Sequence, residues 1–153
     1  MSKPLHVLTS PHHLVARFVT SLSGRPPPVE DEVWADSHLV RGELGLWRRM
    51  SNQDRRHSIK VARRFVEALP TATRAEIAGA LLHDVGKIEC ELGTWGRVAA
   101  TVVGPLTERF ASYYDHERIG AELAEASGSD PTTVELIDQR GPVALVLKSC
   151  DRA

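Results

Sequence analysis

Residues 80–87 read Ala80-Leu81-Leu82-His83-Asp84-Val85-Gly86-Lys87. An aliphatic run ends abruptly on an imidazole and a carboxylate. Ile77, Ala80 and Leu81 share one helical face. Asp84 follows Leu81 by three residues on that face, and His83 lies beside it, three residues after Ala80. A polar group facing a core costs roughly 2–7 kcal/mol unless it finds partners. The pair therefore predicts further polar side chains arriving from other helices.

Three other segments carry such side chains. His57 stands four residues before Val61 and extends the stripe Val61, Phe65, Leu69. His116 precedes Ile119, Gly120 and Leu123 at helical spacing, and Asp151 follows Ala144 and Leu147 by seven and four. Taken singly, each has an ordinary reading. An inward histidine is commonly a hydrogen-bonded core residue. Asp84 could cap the turn after its own helix, and Asp151 could be a frayed end. Together, on separate helices, they predict a shared divalent ion. Imidazole and carboxylate donors accept Mn, Fe, Mg, Zn, Co or Ni rather than a thiolate-seeking ion. Helical bundles build metal sites in this way, from side chains on facing helices. Loss of the ion is then expected to loosen the fold.

The chain has 153 residues, enough for one domain with a real core. Its net charge is −1, which asks for neither nucleic acid nor an anionic membrane as partner. Cys90 and Cys150 lack metal or redox spacing and read as free thiols of a reducing compartment. No long apolar stretch follows Met1, so no secretory leader is expected. The most apolar run, Val98 to Leu106, is about half the ~20 residues that a membrane span needs. A soluble cytoplasmic protein is the expectation.

The periodicity is helical throughout, so the fold class is all-α. Short helices are expected over Leu14–Leu22, Val29–Ser37 and Arg41–Met50, with Gly24-Arg25-Pro26-Pro27-Pro28 breaking the chain between the first two. Ser51, Asn52 or Asp54 caps a helix reaching Leu69. Thr71 or Thr73 caps the next, which ends near His83–Val85 with Gly86 in its terminal turn. Helices over Trp95–Val103 and Thr107–Ala126 follow, the second either continuous or broken near Asp115, and Gly128 ends it. Asp130-Pro131 is a strong start signal. Gly141-Pro142 starts the last helix, which carries Asp151. Residues 1–50 are expected to pack as a helical extension on a core of residues 51–153. Apolar residues near Trp34 and Trp47 could pack on the domain or form a homodimer face.

These segments resemble the signature of the HD-domain superfamily of metal-dependent phosphohydrolases. Arg56-His57-Ser58-Ile59-Lys60-Val61-Ala62 looks like the family's first-histidine helix, and residues 80–87 look like its central motif. Asp115-His116-Glu117-Arg118-Ile119-Gly120-Ala121-Glu122-Leu123 resembles a segment where members carry a further histidine. Leu147-Lys148-Ser149-Cys150-Asp151 resembles the closing helix. The resemblance covers residues 51–153. It implies an all-α bundle of five or more core helices around one or two divalent ions. It also implies hydrolysis of phosphate esters, mostly of nucleotides. His57, His83, Asp84 and Asp151 would be the metal ligands, and His116 a second-metal ligand or a group facing the substrate.

One departure favours a single metal. Two-metal members carry another histidine shortly after His116, and Gln139 or Arg140 occupies that place here. In the implied chemistry Asp84 would bind metal and orient a water. Lys87 would meet the phosphate or, on the plainer reading, sit in solvent at a helix C-terminus. Arg97 is a further phosphate candidate, whereas Arg118 has Glu122 in pairing distance at i+4. The Arg48, Arg49, Arg55, Arg56 cluster reads as a solvated face. The expected substrate is a small phosphate ester such as a nucleotide. The alternative is a regulatory module that keeps the metal but has lost turnover.

Overall fold

The computed structural model describes residues 24–90 and 115–153. Among them are seven α-helices, one 3-10 helix and no strand, as the all-α reading requires. In chain order these are α1 (Val29–Asp36), α2 (Arg41–Arg49), α3 (Asn52–Ala68), α4 (Arg74–Leu82), the 3-10 helix Val85–Cys90, α5 (His116–Ala126), α6 (Pro131–Ile137) and α7 (Ala144–Arg152). The expected helices at Leu14–Leu22 and Trp95–Val103, the opening of Thr107–Ala126, and Arg97 lie outside the described residues.

Local chemistry sets the helix starts. Ser51 caps α3, its hydroxyl accepting from the Asp54 N–H at 3.1 Å. Thr73, rather than Thr71, opens α4 in a reciprocal box. Its hydroxyl accepts from the Glu76 N–H, and the Glu76 carboxylate accepts from the Thr73 N–H at 2.7 Å. Asp130 caps α6 through the Thr132 N–H at 2.8 Å, with Pro131 at the first position. The last helix starts later than expected, at Ala144, after a left-handed Gly141 (φ 89°) has turned the chain.

Helix α4 is the centre of the bundle. Every residue from Ile77 to Leu82 is buried, so it has no solvent face over that stretch. It packs against α3 on one side and α6 on the other. The core joins Val61 and Phe65 of α3, Leu81 and Leu82 of α4, Val85, and Leu136 and Ile137 of α6. Helix α7 lies on α3, and α5 lies on the 3-10 helix and α6.

Gly86 differs from its expected role. It does not end a helix in a left-handed turn, since α4 stops at Leu82 and positive φ among the described residues occurs only at Gln139, Gly128 and Gly141. Gly86 lies instead where the 3-10 helix meets the start of α5. A Cβ there would fall 1.9 Å from the His116 carbonyl oxygen and 2.8 Å from the Gly120 nitrogen. The glycine is required by close backbone approach, which no local sequence signal encodes.

Helices α1 and α2 pack on the rest. Trp47 is closed to solvent and its indole N–H donates to Glu32 at 2.9 Å; Glu32 in turn pairs with Arg55 of α3 at 2.8 Å. Arg63 stacks over Trp34 with 3.9 Å to the ring centroid. Glu43 is fully buried, accepting from the Val40 N–H and from Arg74 of α4 at 3.2 Å. Trp47 thus packs within the domain, whereas Val29 and Val33 on the helix of Trp34 stay exposed.

Candidate metal centre

Five elements converge on one cavity. Helix α3 supplies His57, the end of α4 supplies His83 and Asp84, and the 3-10 helix supplies Lys87. Helix α5 supplies His116 and Glu117 on its first turn, and α7 supplies Lys148 and Asp151. Gln139, just past α6, lines it as well, and Ile137, Ala144 and Leu147 form its apolar wall. The cavity measures about 190 Å³.

His57, His83 and Asp151 each present a ligand atom, all within 4.8 Å of one another, and can hold a metal ion. The His57 Nε2 to Asp151 Oδ1 distance is 2.8 Å, and His83 Nε2 lies 3.4 Å from the same oxygen. Asp84 stands against this trio, its Oδ2 3.6 Å from His83 Nε2 and 4.0 Å from His57 Nε2. Donors bound about 2.1 Å from a common ion lie roughly 3.0–3.4 Å apart, so these gaps need only small adjustment.

His83 supplies the test of fit. Its Nδ1–H donates to the Ala80 carbonyl at 2.9 Å, which leaves Nε2 as the free ring position. That nitrogen is buried and makes no hydrogen bond. It faces the Asp151 and Asp84 oxygens. A lone pair held against two carboxylates needs a cation between them, either a proton or a metal. A backbone carbonyl behind the ring is the partner that metal-binding histidines commonly have.

Without metal the proton fills this role. Burial opposes charging of His83, yet Asp84 and Asp151 beside it raise its pKa above the ordinary 6.5. Burial likewise opposes ionisation of Asp84, but His83, His116 and Lys87 hold its carboxyl well below the usual range. The hydrogen bond from His57, and then His83 beside it, lower Asp151 in the same way. The signs give a pH window. A raised histidine contributes stability that is fully present below pH 6.5 and is lost as pH rises through its folded value. The lowered carboxyls contribute above about pH 3.8 and lose that contribution on acidification. Chelator-treated protein is therefore expected to be most stable on the acid side of neutrality, with thermal midpoints falling from pH 6.5 upward. Midpoints measured from pH 4 to 9 check this, and a flat profile across neutrality would rule out the buried imidazolium.

Asp84 links the trio to a second group. Its Oδ2 accepts from Lys87 Nζ at 2.5 Å, and its Oδ1 lies 3.3 Å from His116 Nε2. Lys87 is mostly enclosed, with 16% of its side chain exposed, so it is a cavity residue rather than a solvated one. Of Gln139 and Arg140, Gln139 lines the cavity. Its backbone is left-handed (φ 55°), and its amide donates to Glu117 Oε1 at 2.9 Å. Arg140 turns away to Asp138. Arg118 pairs with Glu122 at 2.7 Å, its expected plain role.

All of the described candidates, His57, His83, Asp84, Lys87, His116 and Asp151, thus share the cavity. Sequence reasoning gave no role to Glu117 or Lys148. The signal for Lys148 was available, because it precedes Asp151 by three residues and so shares its helix face. Comparison with family models, curated proteins and solved structures gave no match.

Proposed function

We propose that this chain is a metal-dependent phosphohydrolase of the HD-domain type, acting on a small phosphate ester such as a nucleotide. The observation that carries the reading is the convergence of two imidazoles and two carboxylates on one cavity that also contains two lysines. In it, His57, His83 and Asp151, with Asp84 beside them, would hold one divalent ion. When bound, such an ion acidifies a water and polarises a phosphoryl oxygen. Asp84, ionised and fixed between Lys87 and His116, would orient a water in the cavity as its general base. Lys87 meets the phosphoryl group as a point charge. His116 faces the substrate. By the ~30 Å³ share of one water, a cavity of about 190 Å³ accommodates an ion, its water and a phosphoryl group.

The test is elemental analysis of protein purified without chelator, beside His83→Ala. Both samples are then screened for phosphate release from a nucleotide panel with Mn, Mg, Fe or Co. Wild type is expected to carry about one ion per chain, with turnover at least about a hundredfold above the variant, the scale for losing one electrostatic group. No bound metal and no response to added metal would sink the reading. Gln139 in place of a second-site histidine supports one alternative, a regulatory module that binds metal without turnover. Metal with no release from any substrate would select it.

A further inference from the structure

Two lysines line the cavity, from different elements. Lys87 pairs with Asp84. Lys148 makes no ion pair among the described residues. It is exposed at the cavity edge, three residues before Asp151 on α7. Residues at this spacing have Cβ atoms about 5–6 Å apart on one face, so the ammonium group is in reach of whatever sits beside Asp151.

With the imidazoles neutral, as metal binding requires, the lining holds three carboxylates, Asp84, Asp151 and Glu117, against the two ammonium groups of Lys87 and Lys148. The side chains alone then sum to one negative charge. A divalent ion turns the sum positive by one charge, and the loaded cavity then draws an anion. Without Lys148 the loaded cavity would be neutral. Lys148 therefore supplies the charge that makes the metal-bearing cavity net positive toward a phosphate.

We infer that Lys148 is a phosphate-binding residue of this site, its ammonium group donating to a non-bridging oxygen of the substrate's phosphoryl group beside Asp151. The inference rests on the phosphohydrolase reading and adds to it the residue that recruits the anion. Lys148 acts in binding, so its loss should raise KM while kcat changes little.

The experiment is calorimetric titration of inorganic phosphate into Mn-loaded wild type, Lys148→Ala and Lys148→Arg, with metal content and thermal midpoint measured on each. Lys148→Ala is expected to keep its metal and its midpoint. It should bind phosphate roughly tenfold more weakly, the scale of one lost charge-assisted hydrogen bond. Lys148→Arg should retain most of the affinity. Equal phosphate affinity in wild type and Lys148→Ala overturns the inference, as does a metal-loaded wild type that binds no phosphate. A Lys148-dependent phosphate affinity without turnover of any ester supports this inference while removing the hydrolase reading, so the two failures are distinct.

Discussion

Asp84→Ala is expected to remove the metal and to destabilise the metal-free protein by about 3–5 kcal/mol, the cost of breaking a buried charge pair from one side. Asp84 is 6% exposed and faces Lys87 Nζ at 2.5 Å, His116 Nε2 at 3.3 Å and His83 Nε2 at 3.6 Å. Alanine leaves the enclosed Lys87 ammonium group without its anion and the His83 imidazole with Asp151 alone. At roughly 2–4 °C per kcal/mol for a chain of this size, the midpoint should fall by about 6–20 °C in chelator near pH 6. Asp84→Asn preserves size and separates charge from packing; it should lose most of the same stability. Adding Lys87→Met to Asp84→Ala should recover part of the loss, because the stranded ammonium group is gone. A midpoint drop of less than about 2 °C for Asp84→Ala would mean that the pair is not enclosed as described. Elemental analysis of the same samples reports the metal.

The second large effect is expected at Gly86, which touches no ligand directly. In Gly86→Ala the new methyl would meet the His116 carbonyl oxygen at 1.9 Å and its carbon at 2.7 Å. Both are backbone atoms and cannot rotate aside, so α5 must move off the 3-10 helix. Overpacking in a well-packed core costs about 1–3 kcal/mol and occasionally more. A contact this short with backbone belongs at the upper end, a midpoint loss of about 6 °C or greater. The displacement also draws His116 away from Asp84, so turnover should fall further than stability alone would explain. Gly45→Ala is the control. Gly45 lies inside α2 with nothing within 4 Å of its added Cβ, and alanine there should stabilise by roughly 0.5–1 kcal/mol. Thermal melts of both variants decide the matter. Equal midpoints for Gly86→Ala and wild type would contradict the close approach.

Much of this protein was legible along the chain. The helical class, the caps at Ser51, Thr73 and Asp130, and the inward positions of His57, His83, Asp84 and Asp151 follow from periodicity and capping. These are interactions within a turn or two of one helix, so neighbouring residues encode them. Other features depend on how helices distant in sequence meet. Gly86 is needed because His116 crosses it, and Gln139 rather than Arg140 faces the cavity because α6 ends in a left-handed turn. Lys87 is enclosed and paired with Asp84 rather than solvated. Lys148 enters the site only because α7 lies on α3, which brings His57 and Asp151 to 2.8 Å across 94 positions of chain. Such distances are set by packing among helices, and no single helix carries their signal.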